Sequence, residues 1–146
     1  MNKNKKIWGW VVIAVIICAA GCSDKVKVSG KVTFPDGSPL TVGKVTFETE
    51  SFTASGALKE DGTYTLGTLS ENDGIPLGSY KVYVAGAMVQ GGNRSFSIAT
   101  PDGSTTREMS MFVPAVAPRF TKAETSGITC EVTKSRTFDF EVEPPQ

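Results

Sequence analysis

Apolar and polar residues alternate with a period of two over much of this chain. Val26, Val28, Gly30, Val32 and Phe34 fall on one side of an extended backbone, with Lys25, Lys27, Ser29, Lys31 and Thr33 on the other. Val45 and Phe47 alternate with Lys44, Thr46 and Glu48, and Tyr80, Val82 and Val84 with Lys81, Tyr83 and Ala85. Phe138, Phe140 and Val142 alternate with Asp139 and Glu141 near the end. Each run predicts a half-buried strand with one wet face. Beyond residue 21, no window carries the apolar spacing of a sustained amphipathic helix. Pro35-Asp36-Gly37, Glu60-Asp61-Gly62 and Pro101-Asp102-Gly103 supply tight-turn chemistry between runs. The pattern predicts strands at roughly 25–34, 43–50, 53–59, 63–67, 79–86, 127–133 and 137–143, an all-β antiparallel sandwich.

The first segment has a different logic. Lys3, Lys5 and Lys6 precede an uncharged apolar run from Ile7 to Ala20. That run is shorter than the ~20 residues a spanning helix needs, and it ends in small residues, as a secretory signal does. Its end, Ala19-Ala20-Gly21-Cys22 followed by Ser23 and Asp24, resembles the lipobox of bacterial lipoproteins, with Ala19 where that family usually has leucine. The resemblance implies cleavage after a 1–21 signal peptide, lipidation of Cys22, and a 22–25 tether to the membrane. Ser23 after the cysteine carries no inner-membrane retention signal under the family's rules, which favours the outer membrane of the cell envelope. Two acyl chains hold a protein stably, since each buried methylene contributes about 0.8 kcal/mol. Loss of the three lysines would leave a mildly acidic domain.

A second resemblance covers residues 28–85. Val28-Ser29-Gly30-Lys31-Val32, then Asp36-Gly37-Ser38-Pro39-Leu40, Gly43 and Val45, resemble the opening of the carboxypeptidase regulatory-like (transthyretin-like, prealbumin-type) domain. Its next landmarks are matched by Asp61-Gly62-Thr63-Tyr64 and by Leu77-Gly78-Ser79-Tyr80. Residues 120–121, 124–129 and 138–141 look like the closing strands of small envelope lipoproteins of this kind. The resemblance implies a transthyretin-like, Ig-like sandwich over 26–143 with a 144–146 tail. It implies no peptidase activity, because in the parent enzymes this domain accompanies a separate zinc domain.

Composition narrows the chemistry. The 146 residues include 15 Lys+Arg, 15 Asp+Glu and no histidine. A formal charge of zero offers no basic face for nucleic acid. Without histidine there is no Ser-His-Asp triad, Cys-His pair or His-ligated metal. Cys130 lies on the apolar side of the Ile128, Cys130, Val132 alternation, where a buried thiol behaves as a small hydrophobe. Asp36, Asp61, Asp73 and Asp102 each adjoin glycine, and Asp-Gly is first a turn dipeptide. Glu71-Asn72-Asp73-Gly74 offers too few oxygens for a calcium loop. No metal or cofactor is expected.

The stretch 86–120 contains no strand of the predicted set and is far longer than a usual connection. It is expected to be a long loop that folds back partly on the body through Phe96, Met109, Met111 and Phe112. Arg94, Arg107, Arg119 and Phe120 are its candidate binding edge. A flap covering the sandwich, with solvated arginines, is the plainer alternative. The functional expectation is a non-catalytic, lipid-anchored envelope module that binds a protein or a glycan. The alternative is a purely structural envelope lipoprotein, with a carboxylate-only enzyme as a minor third possibility.

Overall fold

The computed structural model describes residues 24–70 and 72–146; the 1–21 leader and Cys22 lie outside them. Strands dominate, and the described chain is all-β. β1 (Val28–Thr33) pairs antiparallel with β4 (Thr63–Thr65), Gly30 standing opposite Tyr64. β2 (Lys44–Glu48), β3 (Thr53–Ala57), β5 (Gly78–Ala85) and β8 (Ile128–Val132) form a second, antiparallel sheet in the order β3-β2-β5-β8. Its register sets Val45 opposite Val84, Phe47 opposite Val82 and Tyr80 opposite Cys130. The seven expected body strands are therefore present, with the last broken in two.

That last strand departs from the antiparallel expectation. β9 (Arg136–Thr137) and β10 (Phe140–Glu141) run parallel to β1, beside its beginning and its end. The cause is the route of the chain. β8 finishes at the end of the molecule where β1 begins, and Thr133-Lys134-Ser135 cross there to the other sheet, Ser135 Oγ accepting from the Lys27 N–H at 3.2 Å. A strand that starts beside the start of β1 must run with it. The break between β9 and β10 is filled by Asp139, whose carboxylate accepts from the Lys31 N–H at 2.8 Å.

The two sheets share one core. Val28, Val32 and Tyr64 from the first meet Val45, Phe47, Val82 and Val84 from the second, all 0–1 % exposed. Phe47 ties the layers together, with ring centroids 6.4 Å from Tyr64, 5.9 Å from Tyr80 and 5.9 Å from Phe138. Along one seam the sheets are joined directly: Ser55 and Gly67 exchange two backbone hydrogen bonds of 3.1 Å. The tyrosines bury their rings and keep a partner for the hydroxyl, as amphipathic rings require. Tyr64 Oη donates to the Phe138 carbonyl at 2.6 Å and Tyr80 Oη to the Pro76 carbonyl at 2.8 Å. Gly30 is what lets the first of these form, because a Cβ there would stand 1.9 Å from the Phe138 oxygen.

The 86–120 stretch is not a loop. β6 (Met88–Thr100) and β7 (Gly103–Pro114) form a two-stranded antiparallel ribbon joined by Pro101 and Asp102. Backbone pairing satisfies this segment without help from the body, and the Asp-Gly turn chemistry serves as a hairpin tip. Nor does the segment fold back: Phe96 is 42 % exposed, Met109 55 % and Phe112 63 %, with Met111 half-buried on the ribbon. At about 3.4 Å per residue the ribbon is an arm roughly 40 Å long. Val116 and Phe120 return the chain to the core, the latter from a short 3-10 turn at Pro118–Thr121. Among the described residues no helix is long and apolar enough to cross a membrane.

Candidate functional site

The molecule has two distinct poles. The first contains Val26, hydrogen-bonded to Ile75 at 2.9 Å in both directions, together with the starts of β1 and β5. Lys25 is fastened there, its Nζ lying 2.9 Å from Thr68 Oγ1 and 3.2 Å from Asp73. The second contains the end of β5, and the arm leaves from it. Ala115 N–H donates to the Ala87 carbonyl at 2.8 Å to close the arm's root. An open apolar cleft of about 330 Å³ beside the root is lined by Phe34, Pro39, Val42, Val89, Val113 and Pro145. The arm and the first described residues therefore sit at opposite ends of β1.

The four candidate edge residues do not make one site. Phe120 is 5 % exposed and belongs to the core. Arg119 is occupied on the body: its guanidinium is 2.5 Å from Glu143 and 4.4 Å above the Phe120 ring. Proximity to the loop in sequence suggested an edge, but the chain has already re-entered the body by residue 116. Arg94 and Arg107 do come together. Arg94 faces Met109 and Phe96 faces Arg107 across the ribbon, which makes the two arginines diagonal neighbours on one face.

The register defines the rest of that face. Val89 opposite Val113, Phe96 opposite Arg107 and Ile98 opposite Thr105 all lie on it, with Met109 and Met111. Ser95, Ser97, Thr106, Glu108 and Ser110 lie on the other. A bulge at Gly91, where Gln90 pairs with Phe112 and Gly92 with Met111, keeps Val89 on the apolar face, while near the root Met88 and Phe112 fall on the otherwise polar one, 44 % and 63 % exposed. A Cβ at Gly91 would stand 2.7 Å from Val113. From Gly92 to the tip the arm is thus amphipathic, and its apolar face carries two cations and no acid. Phe96, Ile98, Met109 and Met111 are the residues a loop reading cannot assemble into a face. The signal was present as Ser95-Phe96-Ser97-Ile98 and Met109-Ser110-Met111, the same alternation that marks the body strands.

The acidic residues are used structurally. Asp36 Oδ1 accepts from Ser38 N–H at 2.9 Å and Oγ at 2.6 Å, and Asp61 Oδ1 from Thr63 N–H at 3.0 Å and Oγ1 at 2.6 Å. These bonds to the turn hold both carboxyls below the usual range. Asp73 accepts from Thr68 Oγ1 and N–H, both at 2.6 Å, and from Leu69 N–H at 3.2 Å, besides facing Lys25. Its carboxyl is held lowest of the three, chiefly by the Thr68 hydroxyl. Among the described residues no cluster of three metal-ligating side chains occurs. Cys130 is buried, and that burial pushes its thiol up, away from the thiolate a nucleophile needs.

A larger open cleft of about 560 Å³ lies near the first pole, lined by Glu48, Glu50, Ser79, Tyr80, Lys81 and Thr129. Tyr80 is buried with its hydroxyl already bonded to the Pro76 carbonyl, and the other polar groups lie on turns and strands with no convergent hydrogen-bonding pattern, so the arm is the stronger candidate. Comparison of the chain with models of known protein families, with curated proteins and with solved structures finds no match.

Proposed function

We propose that this chain is a non-catalytic, lipid-anchored module of the bacterial cell envelope. In this reading the body is a carboxypeptidase regulatory-like, transthyretin-like sandwich and the arm is its contact element. The observation that carries it is the arm itself: a ribbon exposed along its length that displays Val89, Phe96, Ile98 and Val113 at 38–42 % exposure beside Arg94 and Arg107. Contiguous apolar surface rimmed by polar residues marks an interaction site. A face rich in aliphatic side chains and holding one aromatic suits a protein surface better than a glycan, which is held mainly by stacking and hydrogen bonds. Cys22 would hold the opposite pole at the membrane through Ser23 and Asp24, which places the arm distal to the attachment point.

The test is crosslinking in whole cells with mass-spectrometric identification, comparing the full chain with one in which 88–114 is replaced by a short turn. A discrete protein adduct lost with the arm, and reduced in R94A/R107A, is the expected outcome. Identical adducts in the presence and absence of the arm would refute the binding role and leave a structural lipoprotein. Anchoring is read separately: Cys22→Ala is expected to move the protein out of the membrane fraction, and retention there would overturn the anchor.

A further inference from the structure

The face of the arm leaves its edges unaccounted for. A two-stranded ribbon has two open edges, and in water it is marginal unless a further strand or a packed face supports it. Proteins protect such edges with lysine, proline or short length. The β6 edge has none of these and is interrupted only by the bulge at Gly91: Met88–Thr100 is 13 residues long, contains neither Lys nor Pro, and carries the single charge of Arg94. We infer that β6 pairs antiparallel with β6 of a second copy of this chain, with Phe96 on the two-fold axis.

The register singles out this arrangement. Regular pairing on β6 is bounded by the bulge at Gly91 on one side and the Pro101 turn on the other, leaving Gly92–Thr100 as the uninterrupted edge. Its midpoint is Phe96. Two-fold pairing over that whole length sets Phe96 against its own copy, Ser95 against Ser97 and Arg94 against Ile98, with no like charges opposed. Aromatic pairs across strands are favourable. The same exercise on the regular part of β7, Gly103–Met111, has Arg107 at its midpoint and opposes two arginines, which is unfavourable. The edge of β6 is thus self-complementary and that of β7 is not. The two-fold axis is normal to the ribbon, so the apolar faces of both arms stay on one side.

Size sets the character of the contact. About nine residues at 3.4 Å each make an edge roughly 30 Å long and 10 Å deep, or about 600 Å² buried over both chains. A permanent dimer needs about 1,200 Å² or more, so this pairing is short-lived and calls for covalent trapping.

The experiment uses cells producing the full-length chain with Phe96→Cys, oxidised with diamide and resolved by non-reducing electrophoresis. Asp102→Cys at the tip and the unsubstituted chain are the controls. In the inferred pairing the two tips lie about 40 Å apart. Phe96→Cys is expected to give at least tenfold more disulfide-linked homodimer than either control. Co-produced Ser95→Cys and Ser97→Cys chains are expected to join each other more than Ser95→Cys joins itself. Equal dimer from Phe96→Cys and Asp102→Cys would overturn the pairing, as random encounter. Trapping of Phe96→Cys to a different protein would also overturn it, assigning the edge to another chain.

Discussion

Val84 and Ile98 occupy the same kind of position. Each is an aliphatic residue on an antiparallel strand, flanked in sequence by residues of the opposite face, and each stands in register with a partner across the ladder. Val84 is 0 % exposed and Ile98 is 38 % exposed. The difference lies in what covers the strand. β5 has β1 and β4 across the core from it, whereas beyond its root the arm has no such layer among the described residues. Period-two alternation specifies a ribbon with two unlike faces, and the second layer has to come from elsewhere. In the body that layer is the other sheet. In the arm no described element supplies it, and the face stays wet.

The sharpest way to probe the covered half of this comparison is at Gly30. A methyl group there would meet the Phe138 carbonyl and crowd the Tyr64 hydroxyl, 2.9 Å away. Gly30→Ala would part β1 from the 137–140 segment and break the buried Tyr64 hydrogen bond. Overpacking and a lost buried partner together are expected to cost about 3–5 kcal/mol. A thermal melt showing a fall of more than about 12 °C would agree, and an unchanged midpoint would show that the strand can shift aside.

A smaller effect is expected from the turn that carries Asp73. Its folded carboxyl sits below the unfolded value near 3.9, so the group adds stability above about pH 4 and loses it as pH falls through the depressed folded value. Asp36 and Asp61 shift in the same direction. Acid should therefore weaken the body below about pH 4, and Asp73→Asn should make that decline shallower without abolishing it. Melting midpoints across pH 2–6 would show this. Parallel curves for both proteins would mean that Asp73 is not a source of the acid sensitivity.

The body strands were legible in the sequence because alternation there coincides with turn signals and with enough valine and aromatic residues to fill a two-sheet core. The Asp-Gly turns are legible for the same local reason: the Asx hydrogen bonds of Asp36 and Asp61 need only the next two residues. The parallel pairing of β9 and β10 was not legible, since it depends on β8 lying in the opposite sheet. The places of Phe120 and Arg119 on the body are not legible either, because sequence does not reveal where a chain re-enters its core. The arm is hard to read for another reason. Its serine-rich strands, one of them bulged at a Gly-Gly pair, look like linker composition, and a strand is expected to bury one face.

The smallest expected effect tests the uncovered half. Ile98→Ser removes an apolar side chain from a position that touches no core residue. It should change the melting midpoint of the isolated chain by less than about 2 °C, within the ±0.5 kcal/mol of an ordinary surface substitution. The equivalent change at Val84 would place a hydroxyl in the core and unfold much of the population. A fall at Ile98 approaching that at Val84 would mean that the arm already packs on something in the free protein. An unchanged midpoint, combined with weaker capture of the arm's partner, would separate the two regions by purpose. Apolar residues in the body would then hold the fold, and apolar residues in the arm would be there for what lies outside it.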